Sequence, residues 1–268
     1  MKYIHPRRAY NTIMRSFRDT SKLFGTFISD LVFDIRGKKM RKGLAKSVFY
    51  IPYYRTDYIQ SVIRRSKDYF ERTNLDYVCK SWKQGSIGKA IQENVVLDIG
   101  ANIGNHTLYY ANEIGTRTIH CFEPIADTFR ILKRNIELNK LSNRVHLHNI
   151  AVGRSNGHAE IKEYDKKNIG GTSVKESNTG SIKLMTIDSL DIKDKIGFVK
   201  IDVEGFELEV LYGMKETLKR DKPYIACEIR NHNLDEATTF LQEFGYVRTE
   251  IQPPVEWRNY NDYLFYLG

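Results

Sequence analysis

The feature that most constrains this chain is an apolar run that ends in a carboxylate and is followed at once by two glycines. Residues 95–99 form the run, Asp98 is its one charged member, and Gly100 and Gly104 follow with three residues between them. The run predicts a buried strand, the glycines predict a tight turn with close backbone approach, and residues 105–113 predict a helix. Backbone N–H groups and the helix dipole at such a turn favour an electronegative ligand.

The glycine spacing distinguishes this turn from the one that binds dinucleotides. That motif reads G-x-G-x-x-G and holds a pyrophosphate against the helix N-terminus. Here Asp98 stands two residues before the first glycine, where a carboxylate would repel a pyrophosphate. It suits a ligand that carries an ammonium group, such as the aminoacyl end of S-adenosylmethionine. For this motif alone, a strand, turn and helix without any ligand is the alternative interpretation.

Strand and helix patterns alternate along the rest of the chain. Apolar runs predict strands at residues 95–99, 118–122, 145–150, 198–202 and 224–229. Helices are predicted at residues 105–113, 126–138, 207–218 and 235–244. Two final strands, at 246–251 and 263–267, have no helix between them, so we expect an α/β fold with a seven-stranded, mostly parallel, Rossmann-like sheet that ends in an antiparallel hairpin. Residues 153–180 are polar and turn-rich and predict an insertion, with a hairpin strand at 158–161, that covers a bound ligand.

The charge of the chain is concentrated near its N-terminus. The formal net charge is +9, and residues 1–83 hold 19 Lys and Arg against 7 Asp and Glu, while the remainder holds 23 against 26. Helical spacing of apolar residues at 13–35, 58–70 and 75–82 predicts a mostly helical, basic region, interrupted by a charge run at 38–42. Such a region either contacts a membrane, a nucleic acid or an acidic polymer, or packs on the main domain or a second subunit.

The cysteines and the N-terminal hydropathy bear on the compartment. Cys79, Cys121 and Cys227 are widely spaced and odd in number, which predicts buried, reduced thiols. No early apolar run resembles a signal peptide or is long enough to span a bilayer. We therefore expect a cytoplasmic protein. Peripheral contact of residues 1–50 with the cytoplasmic face of the membrane and formation of a homo-oligomer are open alternatives.

Four carboxylates stand at the ends of predicted strands: Asp98, Glu123, Asp202 and Glu228. Open α/β sheets bind ligands at the carboxyl ends of their strands, so we expect these groups to line one site. Glu123 follows Asp98 by 25 residues, near the offset of about 20 residues at which an acidic residue binds ribose hydroxyls. Capping of the next helix is its structural alternative. Ile125 offers an apolar face to a purine.

Five segments together resemble the FkbM-type methyltransferases. They are residues 97–104 (LDIGANIG), 122–124 (FEP), 149–153 (NIAVG), 186–190 (TIDSL) and 200–207 (KIDVEGFE). The resemblance covers residues 90–230 and leaves residues 1–75 unmatched. It implies a class I S-adenosylmethionine-dependent fold and transfer of a methyl group, usually to a hydroxyl oxygen. Known substrates of that family include polyketide and sugar hydroxyls, and its members often accompany glycan biosynthesis.

The uneven charge divides the chain at residue 83, and the resemblance implies a methyltransferase domain after it and a set of donor contacts. Residues 84–268 would form the methyltransferase domain and residues 1–83 the basic N-terminal region. Asp202 would lie beside the transferred methyl group. The aminoacyl end of the donor would be held by Asp98, Gly100, Asn102 and Gly104, the ribose by Glu123, and the adenine by Ile125, Asn149 and Ala151.

Methyl transfer to an alcohol needs a base or a metal to withdraw the hydroxyl proton. Asp202 is the first candidate base because the strand order puts it beside the donor site, and His232, just beyond the fifth strand, is the second. Asp202 and Glu228 are alternatively a pair that shares a divalent cation, Mg²⁺ or Mn²⁺, with a substrate diol. Lys200 stands inside a strand and needs a carboxylate partner if it is buried, so we expect it at the same rim.

Three functions are compatible with these features. The leading hypothesis is an O-methyltransferase that acts on a sugar hydroxyl of a glycan, a glycolipid or a related natural product. The second is an RNA ribose 2′-O-methyltransferase whose basic arm grips phosphates; the strand ends lack a full Lys-Asp-Lys-Glu set, so nucleic acid is not the expected partner. The third is a non-catalytic scaffold whose N-terminal arm binds a membrane or a partner, against which the intact glycine turn and carboxylate rim argue.

Overall fold

The computed structural model describes residues 39–40, 44–163, 169–251 and 260–268. The helical spacing predicted at residues 13–35 lies outside this range. So does the charge run at 38–42, apart from β1 (Lys39–Met40), which pairs with β2 (Phe49–Tyr50). None of the helices in the described ranges is both long enough and apolar enough to cross a membrane.

The remaining strands build two sheets. In chain order they are β3 (Val95–Ile99), β4 (Ile119–Phe122), β5 (Val145–His148), β6 (Ala151–Val152), β7 (Gly157–Glu163), β8 (Ser173–Glu176), β9 (Ile182–Met185), β10 (Ile196–Ile201), β11 (Tyr224–Arg230), β12 (Tyr246–Glu250) and β13 (Tyr260–Leu267). The larger sheet has seven strands in the order β12-β13-β11-β10-β3-β4-β5. Its pairs are parallel except that β13 runs antiparallel to β11 and β12. The predicted mostly parallel sheet with a C-terminal antiparallel hairpin is confirmed.

The strand order reverses between β3 and β10. The chain runs from β3 outward to β5, then returns to β10 and continues on the other side of β3. Every residue of β3 and β10 is buried, as expected for parallel strands that are covered on both faces. Because ligands bind at the carboxyl ends of strands beside such a reversal, the ends of β3 and β10 should carry the site.

Helices cover both faces of this sheet. In the described ranges they are α1 (Tyr58–Ser66), α2 (Arg72–Asp76), α3 (Ser86–Glu93), α4 (Asn105–Tyr109), α5 (Ala126–Leu138), α6 (Glu207–Tyr212), α7 (Lys215–Asp221) and α8 (Leu234–Gln242). The buried apolar residues form one cluster with α1 to α5 and another with α6 to α8. Successive side chains of β3 point to opposite faces of the sheet and so join different clusters: Val96 belongs to the first and Leu97 to the second.

Three predicted helices differ in detail from the structure. The helix at 105–113 is α4 with a π-helical last turn (Tyr110–Ile114). The helix at 75–82 continues α2 as a π-helical turn (Tyr77–Ser81) and ends in a kinked 3₁₀ turn (Trp82–Gly85). The helix at 207–218 breaks at Gly213, between α6 and α7. A Cβ at Gly213 would lie 1.9 Å from the carbonyl oxygen of Gly153, so a distant backbone contact, which hydrophobic spacing does not register, sets this break.

The insertion after β5 is a second sheet rather than a hairpin and a loop. Its four strands lie in the order β6-β9-β7-β8. Strand β7 is longer than the strand predicted at residues 158–161, and β8 and β9 were not predicted. Both missed strands have only four residues; β8 exposes two of them, and β9 exposes one and half-buries two. Such short, partly exposed strands resemble a polar loop in sequence.

The described part of the N-terminal region, residues 44–83, packs on the face of the sheet that carries α3 to α5. Phe49 shares a core cluster with Leu108 of α4, and the backbone N–H of Tyr50 donates to Oδ1 of Asn135 on α5 at 2.6 Å. These residues therefore form one side of the cover over the strand ends. The division of the chain into two domains at residue 83 stays a prediction.

Candidate active site

The turn after β3 is fixed by Gly100. The backbone N–H groups of Gly100 and Ala101 both donate to the carbonyl oxygen of Phe122 at 2.9 Å. Gly100 has a φ of 77°, and a Cβ on it would lie 1.8 Å from the carbonyl oxygen of Asp202. Only glycine fits this position, because the ends of β3 and β10 touch where a side chain would be.

Asp98 lies behind this turn. It is fully buried, Thr107 Oγ1 donates to its Oδ2 at 2.5 Å, and Lys200 Nζ is 3.7 Å from its Oδ1. Burial raises the pKa of Asp98. Oδ1 accepts no hydrogen bond from any described residue, and this open acceptor fits the ammonium group that was predicted for the ligand. Asp98 is not among the described residues that line the cavity in front of the turn, so its contact with a ligand stays a prediction.

A cavity opens in front of the turn, at the carboxyl ends of β3 and β4. Five of the eight predicted donor-binding residues line it: Gly100, Asn102, Glu123, Ile125 and Ala151. The described lining does not include the other three, Asp98, Gly104 and Asn149. Gly104 instead begins α4 with a φ of 90°, and the Asn149 amide donates to the carbonyl oxygen of Glu123 at 2.8 Å. These two residues shape the wall from behind.

Glu123 holds two segments together. Its Oε2 accepts the backbone N–H of Asn102 at 3.0 Å, and its Oε1 accepts that of Ile125 at 2.9 Å. Ile125 is the residue before α5, and no side chain in the described ranges caps the N–H groups of the helix itself, so the capping alternative is not realised in this form. Each oxygen keeps a lone pair for a ligand hydroxyl. Burial raises the pKa of Glu123 to about 7, although both hydrogen bonds oppose the shift.

Lys200 connects the turn to the neighbouring strand end. Its Nζ donates to the carbonyl oxygen of Gly100 at 3.0 Å and lies 3.1 Å from Oδ2 of Asp202. Burial alone would lower the pKa of Lys200, but the carboxylates of Asp202 and Asp98 outweigh it and the pKa is raised. Lys200 is thus a buried ammonium that is paired with carboxylates, as its place in the sequence predicted.

The structure adds Glu204 to the predicted carboxylate rim. Asp202, Glu204 and Glu228 each offer an oxygen within 4.8 Å of the other two. Burial and then the nearby Asp202 raise the pKa of Glu204 to about 7 and that of Glu228 to about 10. Arg230 pairs with Glu204 at 3.1 Å. The φ of Glu204 is 55°, a conformation uncommon outside glycine that recurs at functional sites, and its position two residues after Asp202 was the available sequence signal.

His232 is not brought to this rim. It lies in a short exposed turn after β11 (Asn231–Asn233), and the described lining of the cavity does not include it. His106, which sequence reasoning did not single out, does line the cavity. Burial and then Lys200 lower the pKa of His106 well below its usual value, so a neutral imidazole faces the rim.

The remaining walls come from segments that no motif marked. Tyr58, Phe70 and Glu71 of the N-terminal region line the cavity on one side, and Ile169 of the insertion lines it on another. The two sides touch, because the backbone N–H of Ile169 donates to Oδ2 of Asp57 at 3.0 Å. The predicted cover over the ligand therefore has two parts, and only tertiary structure brings them together.

A family model described as the methyltransferase FkbM domain matches residues 98–248, which is more than half of the chain. The chain belongs to the FkbM methyltransferase family. The match spans the glycine turn and the carboxylate rim, whereas Asp57, Tyr58, Phe70 and Glu71 of the cover lie outside it.

Two curated methyltransferases are similar over part of the chain. Methyltransferase 1 of Beauveria bassiana is 27% identical over 193 residues, which cover 60% of this chain and 77% of that protein. Hexuronic acid methyltransferase AglP of Haloferax volcanii is 30% identical over 136 residues, which cover 49% of this chain and 54% of AglP. The chain thus spans about half the length of AglP.

A solved FkbM structure has a similar fold. The FkbM methyltransferase of Methylobacillus flagellatus KT superposes with a TM-score of 0.51 at 20% sequence identity, over 65% of this chain and 44% of that chain. At this identity the similarity concerns the fold, and it agrees with the class I methyltransferase architecture that the FkbM resemblance implied.

Proposed function

We propose that this protein is an S-adenosylmethionine-dependent O-methyltransferase that acts on a sugar hydroxyl. The observation that carries the proposal is the position of Lys200 between the glycine turn, which lines the cavity, and the carboxylate rim. Its Nζ contacts the carbonyl oxygen of Gly100 in the turn and the carboxylate of Asp202 on the rim. A cavity that fits a nucleoside therefore adjoins a carboxylate that can accept the proton of a hydroxyl group. The sugar named in the description of AglP supports the acceptor class.

The lining of the cavity fits the donor group by group. Bound S-adenosylmethionine would supply a methyl group on a positively charged sulfur. The free lone pairs of Glu123 would accept the ribose hydroxyls, Ile125 and Ala151 would contact the adenine, and the turn at Gly100 would hold the aminoacyl end with the open acceptor of Asp98 behind it. Asn102, Gly104 and Asn149 would keep this wall in shape.

We assign removal of the acceptor proton to Asp202. Its side chain is 34% exposed, so a hydroxyl can reach it, and Lys200 holds the carboxylate by an ion pair. A positioned base contributes about 10²- to 10⁴-fold to such a step. Lys200 acts as a positioning residue, and Glu228 orients the hydroxyl from the next strand. His232, the second candidate base, draws no support from its exposed turn.

The rim also fits a divalent cation. Asp202, Glu204 and Glu228 are oxygen ligands of the kind that Mg²⁺ and Mn²⁺ prefer. Lys200 and Arg230 already pair with two of the three carboxylates and would compete with the ion. The positive charge that balances these carboxylates comes either from a metal ion or from the two basic side chains. Activity that EDTA removes and added Mg²⁺ restores would indicate the ion, and activity that EDTA leaves unchanged would indicate the side chains.

The proposal is tested by donor binding and by turnover. Calorimetry of the purified protein with S-adenosylmethionine should show binding, and a folded protein without it would contradict the proposal. Asp202→Asn should lower transfer of labelled methyl groups to a sugar acceptor by at least about 100-fold while donor affinity changes little. Asp194→Asn, at an exposed aspartate outside the cavity, is the matched control and should leave both unchanged.

We further propose a cytoplasmic location, with the part of residues 1–50 that precedes the packed residues 44–50 against the anionic face of the membrane. The excess of basic residues over acidic ones in this part supports the proposal. Flotation of the full chain with liposomes that contain anionic lipids should succeed at low salt and fail at high salt, and a chain that stays in the soluble fraction at both would contradict it.

A further inference from the structure

A crevice adjoins the donor cavity, between the N-terminal region and the strand ends. Asn74, Leu75 and Val78 form one wall, and Glu228 and Asp262 lie on the other. The crevice and the donor cavity share five lining residues: Glu71, His106, Lys200, Asp202 and Glu228. The two spaces therefore meet at the proposed base.

We propose that this crevice holds the acceptor as a single sugar ring that carries no negative charge, an inference that rests on the proposed methyl transfer to a sugar. The location follows from the reaction, because the hydroxyl must reach Asp202 and the donor at the same time. The donor cavity and this crevice both reach Asp202.

One wall of the crevice is apolar and the other is polar. A sugar ring matches this difference, because it has both an apolar C–H face and polar hydroxyl groups. Leu75 and Val78 present buried aliphatic side chains, against which the C–H face of a pyranose can pack. On the opposite side, Glu228 and Asp262 are directly paired residues of β11 and β13, so their side chains leave the same face of the sheet. Carboxyl oxygens accept hydrogen bonds from ring hydroxyls.

The charge at the inner end of the crevice excludes a ring that bears a carboxylate or a phosphate. The described lining of the crevice holds four carboxyl groups, those of Glu71, Asp202, Glu228 and Asp262, and one basic group, Lys200. Even with Glu228 protonated, as its pKa of about 10 implies, three carboxyl groups remain beside Lys200. A further anion beside these carboxylates is repelled strongly, because the partly buried site screens charges much less than bulk water does. Neutral hydroxyls and amino groups meet no such repulsion.

The wall formed by residues 73–78 offers a matched pair of variants. Asn74 lines the crevice, whereas its neighbour Thr73 is exposed and is not in the described lining of either space. Asn74→Trp should obstruct the crevice and raise the KM for the acceptor at least about tenfold, with donor affinity within about twofold of the wild type. Thr73→Trp should change neither quantity. Thermal melting checks that both variants fold.

The acceptors used are methyl glucoside and methyl glucuronide, which carry no phosphate and differ only in the group at C6 of the ring. We expect labelled methyl transfer to the glucoside to exceed transfer to the glucuronide by about tenfold or more. Preference for the glucuronide, equal effects of Asn74→Trp and Thr73→Trp, or donor binding without transfer to either sugar would each overturn the crevice inference. Loss of donor binding in the wild-type protein would instead overturn the proposed function.

Discussion

The donor half and the acceptor half of this site are assembled in different ways. The core of the donor half is local: one turn between β3 and α4 is closed by backbone hydrogen bonds to Phe122 and by Glu123. Only its outer walls come from distant segments. The acceptor half joins β10, β11, β13 and the wall at residues 71–78, which are far apart in the chain. A local half is recognisable in a motif, whereas a half built from distant segments becomes visible only in the folded protein. Lys200 is the side chain that both halves contact.

Removal of Lys200 should have the largest effect, because it breaks the connection between the halves. Lys200→Met leaves Asp98 buried without its cation and frees Asp202. Loss of one partner of a buried ion pair costs about 3–5 kcal/mol of the free energy of unfolding. Urea denaturation should show this loss, together with lower donor affinity.

A second substitution distinguishes the lost cation from lost packing. Lys200→Met combined with Asp98→Asn removes the buried charge as well and should recover part of the stability. Lys193→Met, at an exposed lysine, should stay within about 0.5 kcal/mol of the wild type. A double variant no more stable than Lys200→Met would mean that the ion pair is not the cause.

Gly100→Ala tests the close contact between the two strand ends. Its matched control is Gly115→Ala, since Gly115 has a φ of 93° and no neighbouring atom of the described residues lies within 4 Å of the position that its Cβ would take. Both variants bear the left-handed backbone cost of about 1–2 kcal/mol. Gly100→Ala should lose about 1–3 kcal/mol more and should bind the donor poorly, because the methyl group meets the Asp202 carbonyl oxygen. Equal losses in the two variants would show that the strand ends separate easily.

The sequence predicted the local half of this structure better than the distant half. The bounds of β3 and α5 agree with the patterns at 95–99 and 126–138, because buried strands and amphipathic helices repeat within one element. The break at Gly213 escaped prediction, since it depends on a carbonyl oxygen 60 residues away in the chain. The crevice wall around Leu75 escaped for the same reason: its pattern predicts burial but not the surface against which it is buried.

The site residues show the same contrast between local sequence and distant contacts. Glu123 was predicted from its offset after the glycine turn, and the structure brings it to the cavity. Glu204 was missed, because its sequence position equally suits the start of a helix and only its left-handed φ directs the chain back to the rim. His106 was missed because its neutral state depends on burial beneath other segments.

Ionisation of Glu123 should make donor binding depend on pH. Its pKa of about 7 and a requirement for the carboxylate form predict a rise in donor affinity of about tenfold between about pH 6 and pH 8. In the ligand-free protein the sign is opposite. The folded pKa lies above the usual value of 4.5, so the folded state holds an extra proton in this range and its stability should fall as the pH rises from about 4.5 to about 7.

Calorimetry across this pH range checks the donor affinity, and urea denaturation checks the stability of the ligand-free protein. Glu123→Gln cannot ionise, so its donor affinity and its stability should vary less with pH than those of the wild type. If the variant keeps the full wild-type pH profile, another group of the site controls donor binding, and the acceptor rim with its raised pKa values at Glu204 and Glu228 is the next place to look.

The smallest expected effect concerns the contact that closes the cover over the donor. Oδ1 of Asp57 caps α1 through the N–H of Gln60 at 2.9 Å, while its Oδ2 accepts the N–H of Ile169. Asp57→Asn keeps one acceptor for the cap and replaces the other with a donor. Since one hydrogen bond contributes about 1 kcal/mol, donor affinity should fall about threefold to fivefold with little loss of helix stability, whereas Asp57→Ala should lose the cap as well, at about 1 kcal/mol. Calorimetry and thermal melting of the two variants separate these effects. Unchanged donor affinity in Asp57→Asn would mean that the insertion and the N-terminal region touch without enclosing the donor, and the cover would then belong to the acceptor half alone.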